Sequence, residues 1–151
     1  MHVTARTDYA LRALLTLAAT ETGTATGQVL AAEQQLPQKF LEAILADLRR
    51  AGLIRTRRGP EGGYTLARPP AEVTVGEVVR AVDGPLAVVR GERPELAVYG
   101  GAAEHLQDLW VALRAAVRAV LDEVTLAQLL AGEMPAHVRA LLDSPEAWTS
   151  R

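Results

Sequence analysis

The sequence predicts a mainly α fold with a small β-hairpin, and three patterns support this prediction. Apolar residues recur at intervals of three and four along residues 7–21 and 37–51, as on one face of an amphipathic helix. Two short segments, residues 53–58 and 64–66, flank a glycine-rich turn, which is typical of a hairpin. Residues 102–124 carry a nearly unbroken apolar face and predict one long helix.

Three helices are predicted before the hairpin. Residues 7–21 form the first, and a connector rich in Thr and Gly joins it to a short second helix over residues 27–35. The third helix covers residues 37–51, because Pro37 suits a first helical position and Gly52 suits a C-terminal cap. The apolar contacts predicted for the second helix are Val29, Leu30 and Leu36. The buried stripe predicted for the third helix is Phe40, Leu41, Ile44, Leu45 and Leu48.

A third helix with a polar outer face, followed by a basic hairpin, is the element order of a winged helix-turn-helix. In that fold the third helix enters the major groove of DNA, and the hairpin, or wing, reaches neighbouring phosphates or the minor groove. The fold class predicted is therefore a winged helix-turn-helix head with a two-stranded wing, plus a long helix. The predicted DNA-binding residues are Gln38, Lys39, Glu42, Arg49, Arg50, Arg55, Arg57, Arg58, Gly59, Gly62, Gly63 and Tyr64.

Charge is distributed unevenly along the chain. The 151 residues have a net charge of −2, but residues 1–68 carry nine basic and six acidic side chains, against seven and twelve in the remainder. Five arginines and no acidic residue lie between positions 49 and 58. Such a cluster is either a solvated face or a phosphate-binding surface, and its position on the third helix and wing favours DNA.

The composition of the chain excludes several classes of protein. Hydrophobic residues make up 49% of the chain and charged residues 23%, as in a globular domain. No run approaches the roughly 18 apolar residues that cross a bilayer, and the N-terminus lacks the pattern of a signal peptide. We therefore expect a cytoplasmic protein with no membrane partner. The chain contains no cysteine, which excludes disulfides, thiolate nucleophiles and cysteine-ligated metal centres.

The C-terminal half is predicted to dimerise. Thr74 and Glu77 have the spacing of a capping box that begins a short helix. We divide the chain into a DNA-binding head (residues 1–83), an irregular loop (84–101) and a dimerisation region with a C-terminal helical extension (102–151). The head already has three helices to cover its core, so a second copy is the better partner for the long helix. Its predicted dimerisation residues are Leu106, Leu109, Trp110, Leu113, Val117, Val120, Leu121 and Val124.

Several motifs resemble the Rrf2 family of bacterial regulators, the group that contains IscR, NsrR and CymR. They are Met1-His2-Val3-Thr4, Phe40-Leu41-Glu42, the segment from Leu48 to Ile54, Arg58-Gly59-Pro60-Glu61-Gly62-Gly63-Tyr64 and the segment from Val75 to Asp83. The resemblance implies a homodimeric transcription factor, usually a repressor, that binds a pseudo-palindromic operator. It also implies that Arg58 enters the minor groove and that Glu42 accepts a hydrogen bond from a cytosine amino group.

The chain departs from the cluster-binding members of that family. They place three cysteines and a further ligand in the loop before and at the start of the long helix, where this sequence has Glu104 and Gln107. The spacing of Glu92, Glu95 and His105 supports no particular metal site. We therefore predict no cofactor, no metal and no cysteine-ligated iron–sulfur cluster.

Three alternatives stay open at the level of the sequence. An enzyme is disfavoured, because the chain has no nucleophile elbow, phosphate loop or Ser/His/Asp spacing. A winged helix can also serve as a protein–protein adaptor. A regulator of this kind could respond to a small molecule or to a protein effector, which the irregular loop suggests but does not identify.

Overall fold

The computed structural model describes residues 1–150. Its helices are α1 (Ala5–Ala19), α2 (Gly27–Gln34), α3 (Gln38–Arg50), α4 (Val75–Asp83), α5 (Leu106–Leu121), α6 (Leu126–Ala131) and α7 (Ala136–Leu142). Its strands are β1 (Thr24–Ala25), β2 (Ile54–Arg57) and β3 (Gly63–Leu66). Single turns of 3-10 helix lie at Pro70–Glu72, Pro94–Leu96, Gly101–Ala103 and Pro145–Trp148. The predicted mainly α class is confirmed.

The core of the head lies between α1, α2, α3, α4 and the sheet. Its fully buried side chains include Leu14, Leu17, Leu30, Leu41, Ile44, Leu45, Leu48 and Ile54. Full burial of one such side chain contributes about 1.5–3 kcal/mol. Leu126 of α6 is also fully buried in this core, so the C-terminal region completes the head. The domain division at residues 83 and 101 stays a prediction.

Threonine hydroxyls begin four of the described helices. Thr4, Thr26, Thr74 and Thr125 each accept a hydrogen bond from the backbone N–H three residues later. The capping box predicted at Thr74 is confirmed, because the Glu77 carboxylate also accepts from the Thr74 N–H at 2.9 Å. A second box, formed by Thr125 and Gln128, begins α6.

Three predicted details of the head helices are wrong. Pro37 is the N-cap of α3 and not its first residue, because its ψ of 117° is extended. Val29 and Phe40 are 47% and 38% exposed, so neither belongs to a buried stripe. Each precedes a fully buried leucine by one residue, a rotation of about 100°, which moves its side chain to the edge of the apolar face. Phe40 packs edge-on against Tyr9 instead, with ring centroids 5.7 Å apart.

The predicted two-stranded wing is confirmed as the β2–β3 hairpin, and a third strand that was not predicted extends its sheet. β1 lies in the connector between α1 and α2 and pairs antiparallel with β3, giving the order β1-β3-β2. This pairing requires Gly63, whose φ is +145°. A Cβ at that residue would overlap the Ala25 carbonyl and lie 2.9 Å from the Thr26 nitrogen. A strand of two residues has no periodicity of its own, so no sequence pattern indicates it.

Backbone hydrogen bonds join the head to the C-terminal helices. The Val75 N–H donates to the Val124 carbonyl at 2.9 Å, and the Leu126 N–H donates to the Val73 carbonyl at 3.0 Å. The side chains of Val75, Val124 and Val138 form a second, small core. Val124 is 4% exposed within the single chain and is not available to a partner. We therefore remove it from the predicted dimer interface.

An ion pair between α4 and the end of α5 strengthens this junction. The Arg80 guanidinium donates to both carboxylate oxygens of Asp122, at 2.7 and 2.9 Å. The hydrogen bond from Arg80 holds the pKa of Asp122 below its ordinary value. A Cβ at Gly76 would overlap Asp122 Oδ1 and lie 3.0 Å from Arg80 Nη1. Gly76 therefore provides the space in which the pair forms.

The predicted irregular loop of residues 84–101 packs against the side of α5. Pro94 is fully buried there. The Gln107 side-chain amide donates to the Glu95 carbonyl at 2.9 Å, and the Arg114 guanidinium pairs with the Glu95 carboxylate. The loop therefore has a defined position next to α5.

The long helix is shorter than predicted. Residues 102–124 were expected to be helical, whereas α5 covers Leu106–Leu121. At its start, Gly101–Ala103 forms a separate turn of 3-10 helix, and α5 begins only after His105, whose ψ of 2° is not helical. At its end, Val124 leaves the helix to pair with α4.

We predict that Gly76→Ala destabilises the protein by about 1–2 kcal/mol, although alanine favours a helix interior by about 0.5–1 kcal/mol. The added methyl group has to displace Asp122 and break its pair with Arg80. Gly27→Ala is the matched control, because a Cβ there would meet only Leu45 and Tyr64 at 3.6 and 3.7 Å. Urea unfolding measures both variants, and a Gly76→Ala protein as stable as the parent would show that the junction tolerates the methyl group.

We predict that Asp122→Asn costs about 1 kcal/mol or less at pH 7, because the pair with Arg80 is partly exposed and screened. The folded pKa of Asp122 is lowered. The contribution is therefore complete above the unfolded pKa of about 3.9 and is lost as the pH falls through the lower folded value. Urea unfolding from pH 7 to pH 3 should show the gap to the parent closing. A gap that is constant with pH would mean that the carboxylate charge contributes nothing.

Candidate nucleic-acid interface

The outer face of α3 is exposed and polar. Leu41, Ile44, Leu45 and Leu48 are buried on its inner face. Gln38, Lys39, Glu42 and Arg49 are exposed on the outer side. Gln38 Nε2 lies 3.5 Å from Glu42 Oε1, which is at most a weak hydrogen bond. The donors and acceptors of this face are therefore available to base edges in a major groove.

The wing presents arginines on the opposite side of the strand from the core. Ile54 is buried at the start of β2, and side chains alternate between the two faces of a strand. Arg55 and Arg57 therefore share the face that points away from Ile54, and both are exposed. Arg58 follows in the turn and is also exposed.

Most of the predicted cationic side chains are unpaired. Within residues 1–150, no ion pair or side-chain hydrogen bond involves Lys39, Arg49, Arg55, Arg57 or Arg58. A protein surface usually intersperses charges of both signs. A set of unpaired guanidinium groups at a helix end and on the wing that follows it in the chain is suited to phosphates and base edges.

Arg50 differs from the other predicted arginines. It pairs with Asp47, which also pairs with Arg6 of α1. Arg6 Nε in turn donates to the Val82 carbonyl at the end of α4, at 3.3 Å. Arg50 therefore belongs to a network that fixes α3 against α1 and α4. Sequence reasoning missed Arg6 and Asp47, because residues 41 positions apart show no shared pattern.

The predicted glycines of the wing have structural reasons of their own. A Cβ at Gly62 would lie 2.5 Å from the Arg57 carbonyl oxygen and 2.8 Å from that of Gly59. Gly63 allows β1 to pair, as described above. Gly59 has a φ of +108°, and a Cβ there would meet open space. Among the wing glycines, the environment of Gly59 is therefore the one open to a bound partner.

Tyr64 also has a structural role. Its side chain is half-buried and packs against the core of the head. Its ring lies close to Gly27 at the start of α2. Packing alone therefore accounts for a tyrosine at this position, and no contact with DNA is needed to explain it.

The predicted dimerisation residues divide into two groups. Leu106, Leu109 and Leu113 are 36%, 55% and 43% exposed, and Trp110 and Val117 are half-buried beside them. Val120 and Leu121 pack against the small core formed around Val124. The exposed apolar face of α5 therefore lies on its N-terminal three-quarters, from residue 106 to residue 117.

The side chains of the loop and of the start of α5 do not fit an iron–sulfur cluster. The chain has no cysteine to supply thiolates. Glu95 is paired with Arg114, and His105 is exposed with its Nε2 3.3 Å from Glu104. In the part of the chain that the structure describes, no three His, Asp or Glu side chains are placed to hold a metal ion.

A helical head with an exposed polar third helix and a basic wing is the architecture of a winged-helix DNA-binding regulator. Residues 3–132 match the Rrf2 family, whose description is "Iron-dependent Transcriptional regulator", and the chain belongs to that family. The predicted family is therefore confirmed, and the chain is a DNA-binding transcriptional regulator and not an enzyme. The iron dependence in the family description has no matching ligand set among the described residues 1–150.

Two curated relatives show how far the similarity extends. Rv1287 of Mycobacterium tuberculosis, named as an HTH-type transcriptional regulator, is 44% identical over 155 residues, covering 99% of this chain and 94% of its own. CymR of Bacillus subtilis is 30% identical over 145 residues, covering 91% of this chain and 98% of its own.

Solved structures have the same fold. The structure of B. subtilis CymR, titled the global cysteine regulator, superposes with a TM-score of 0.71 and 29% identity over 87% of this chain and 98% of its own. IscR of T. potens superposes with a TM-score of 0.69 and 27% identity, over 100% of this chain and 93% of its own. The predicted winged helix-turn-helix head is confirmed by these similarities.

None of the helices within residues 1–150 is both long and apolar enough to span a membrane.

Proposed function

We propose that the protein is a homodimeric, sequence-specific repressor that binds a pseudo-palindromic operator in the cytoplasm. The observation that carries this proposal is the set of exposed, unpaired arginines at the end of α3 and on the wing that follows it in the chain. Membership of a family of transcriptional regulators supports it. The small net charge of the whole chain is no obstacle, because the basic residues are concentrated on this surface.

The residues of the surface have different proposed roles. Gln38, Lys39, Glu42 and Arg49 face base edges, with Glu42 accepting from a cytosine amino group and Arg49 donating to a guanine. Arg55 and Arg57 bind phosphates along the backbone. Arg58 enters the minor groove, where a narrow groove has an enhanced negative potential. Arg50 contributes mainly by pairing with Asp47 on the same helix, and Asp47 holds α3 to α1 through Arg6.

A second copy of the chain is the proposed partner of α5. The exposed face from Leu106 to Val117 borders a cavity of about 380 Å³ lined by Val88, Trp110 and Leu113. An apolar face of this kind is costly to leave in water and marks an interaction site. A twofold dimer would present two α3 helices to half-sites about one helical turn, or 34–36 Å, apart. This spacing is the reason for expecting a pseudo-palindrome.

The signal for this regulator is not an iron–sulfur cluster, according to the proposal. The loop that holds ligands in cluster-binding relatives is fixed here by Gln107 and Arg114. CymR is described as a cysteine regulator, and that description concerns CymR and not this chain. We propose a different effector for this chain, and its chemistry is the subject of the next section.

We predict that the purified protein retards a subset of genomic DNA fragments, with an affinity that falls steeply as salt rises. Arg58→Ala should weaken binding to a selected fragment by about 1–3 kcal/mol, because it removes a groove contact. Arg139→Ala on α7 is the matched control and should bind like the parent. Fluorescence anisotropy across a salt series measures all three proteins.

Two outcomes would contradict the proposal at different levels. If no fragment is bound even at low salt, the adaptor alternative is favoured. If Arg58→Ala binds like the parent, the wing is a solvated face and α3 alone reads the DNA. Transcription in vitro from a promoter that carries the selected fragment then separates a repressor from an activator.

We predict that Leu109→Glu combined with Leu113→Glu converts the dimer into monomers, because two buried carboxylates would face their copies across a twofold axis. Both leucines are exposed in the single chain, so its fold should persist. Leu141→Glu on α7, where the leucine is 57% exposed, is the matched control and should stay dimeric. Sedimentation equilibrium measures the mass, and a dimer that survives the double substitution would place the interface elsewhere.

A further inference from the structure

A polar pocket lies on the side of α5, next to its exposed apolar face. Its volume is about 400 Å³, at the small end of the range for small-molecule sites. Four arginines line it, from three different parts of the chain: Arg80 from α4, Arg93 from the loop, and Arg114 and Arg118 from α5. Leu86 and Pro94, both buried, contribute apolar lining.

The pocket has more positive than negative charge. Arg80 is paired with Asp122 and Arg114 with Glu95. Arg93 and Arg118 are exposed, and neither forms an ion pair or a side-chain hydrogen bond within residues 1–150. The nearby Glu77 is paired with Arg68. Arg93 also lies near Glu95 and Arg118 near Asp122, because the charge of each guanidinium lowers the pKa of that carboxyl. Each of these two carboxylates is therefore shared by two guanidinium groups, and the four arginines outnumber the carboxylates beside them.

Such an arrangement selects one class of ligand. A guanidinium group binds a carboxylate or a phosphate through two parallel hydrogen bonds. The surplus of two guanidinium groups, with Arg93 from the loop and Arg118 from α5, is neutralised by a ligand with two negative charges. The apolar lining between them leaves room for a short carbon skeleton. A small dianion fits these features, whether a dicarboxylate or a phosphate.

The pocket is mechanically connected to the DNA-reading helix. Arg80 lines the pocket and lies on α4, whose end is bonded to Arg6 through the Val82 carbonyl. Arg6 pairs with Asp47 of α3. A ligand that draws Arg80 away from Asp122, or the loop toward α5, would therefore change how α4 supports α3.

We propose that this pocket binds a small dianion that regulates the protein, with Arg93 and Arg118 as its primary ligands. The regulatory step rests on the proposed function as a DNA-binding repressor, whereas binding of the anion does not.

The test begins with thermal unfolding of the purified full chain without DNA. Succinate and inorganic phosphate are the two probes, each titrated at constant ionic strength with NaCl as the balancing salt. The melting temperature of the parent should rise by about 5–10 °C when the binding anion reaches 100 times its Kd. The probe that raises the melting temperature shows whether the ligand is a carboxylate or a phosphate.

Two double variants identify the site. Arg93→Ala with Arg118→Ala should lose the shift, and it should still fold because neither side chain forms a salt bridge or a side-chain hydrogen bond in the described chain. Arg55→Ala with Arg57→Ala removes the same charge from the wing and should keep the shift. The proposal is overturned if neither probe exceeds the NaCl control, or if the two double variants respond alike, since the anion would then bind elsewhere.

Binding to a selected DNA fragment supplies the second readout. The active anion should change the affinity of the parent by about fivefold or more. The Arg93→Ala, Arg118→Ala protein should bind the fragment as the parent does without anion and should ignore the anion. A thermal shift with no change in DNA affinity would overturn the regulatory step. A normal thermal shift in a protein that binds no DNA would instead mean that the proposed function has failed.

Discussion

The junction of α4 with the end of α5 is the constraint on which the rest of the structure depends. Here Arg80 meets Asp122 in the space that Gly76 leaves open. Backbone bonds from Val75 to Val124 and from Leu126 to Val73 surround the pair. Through this junction the C-terminal helices contribute to the core of the head, so the DNA-reading part and the part predicted to dimerise are not independent units. A rotation of α5 would therefore move α4 with it.

On the basic surface, some arginines are held in position by carboxylates and others form no ion pair. Asp47 binds both Arg6 and Arg50 and thereby ties the outer end of α3 to α1. Arg49, Arg55, Arg57 and Arg58 have no such partner in the described chain. The paired arginines fix the position of the helix, and the unpaired ones leave positive charge available to DNA. Both properties favour binding, because a side chain that is already in position loses less conformational entropy when it makes its contact.

Local signals account for the parts of the fold that the sequence predicts. The capping box at Thr74 and the buried stripe of α3 each depend on residues within a few positions of one another, and both are present. The parts that were missed depend on distant partners. β1 exists because Gly63 admits the Ala25 carbonyl, and Val124 is buried because it pairs with Val75. Phe40 and Val29 lie at the edge of an apolar face, where periodicity does not distinguish packing from exposure.

The same distinction applies to the candidate sites. Charge clustering within residues 49–58 is visible in the sequence, so this surface could be predicted as a candidate DNA interface from the sequence alone. The arginine pocket could not, because Arg80, Arg93, Arg114 and Arg118 are spread over 38 positions and come together only when the loop docks on α5. The absence of cysteine removes a cysteine-ligated cluster as the effector. The loop and α5 instead present surplus positive charge next to α4, the helix that connects the pocket to the head. This surplus charge is the physical basis for proposing an anion as the effector.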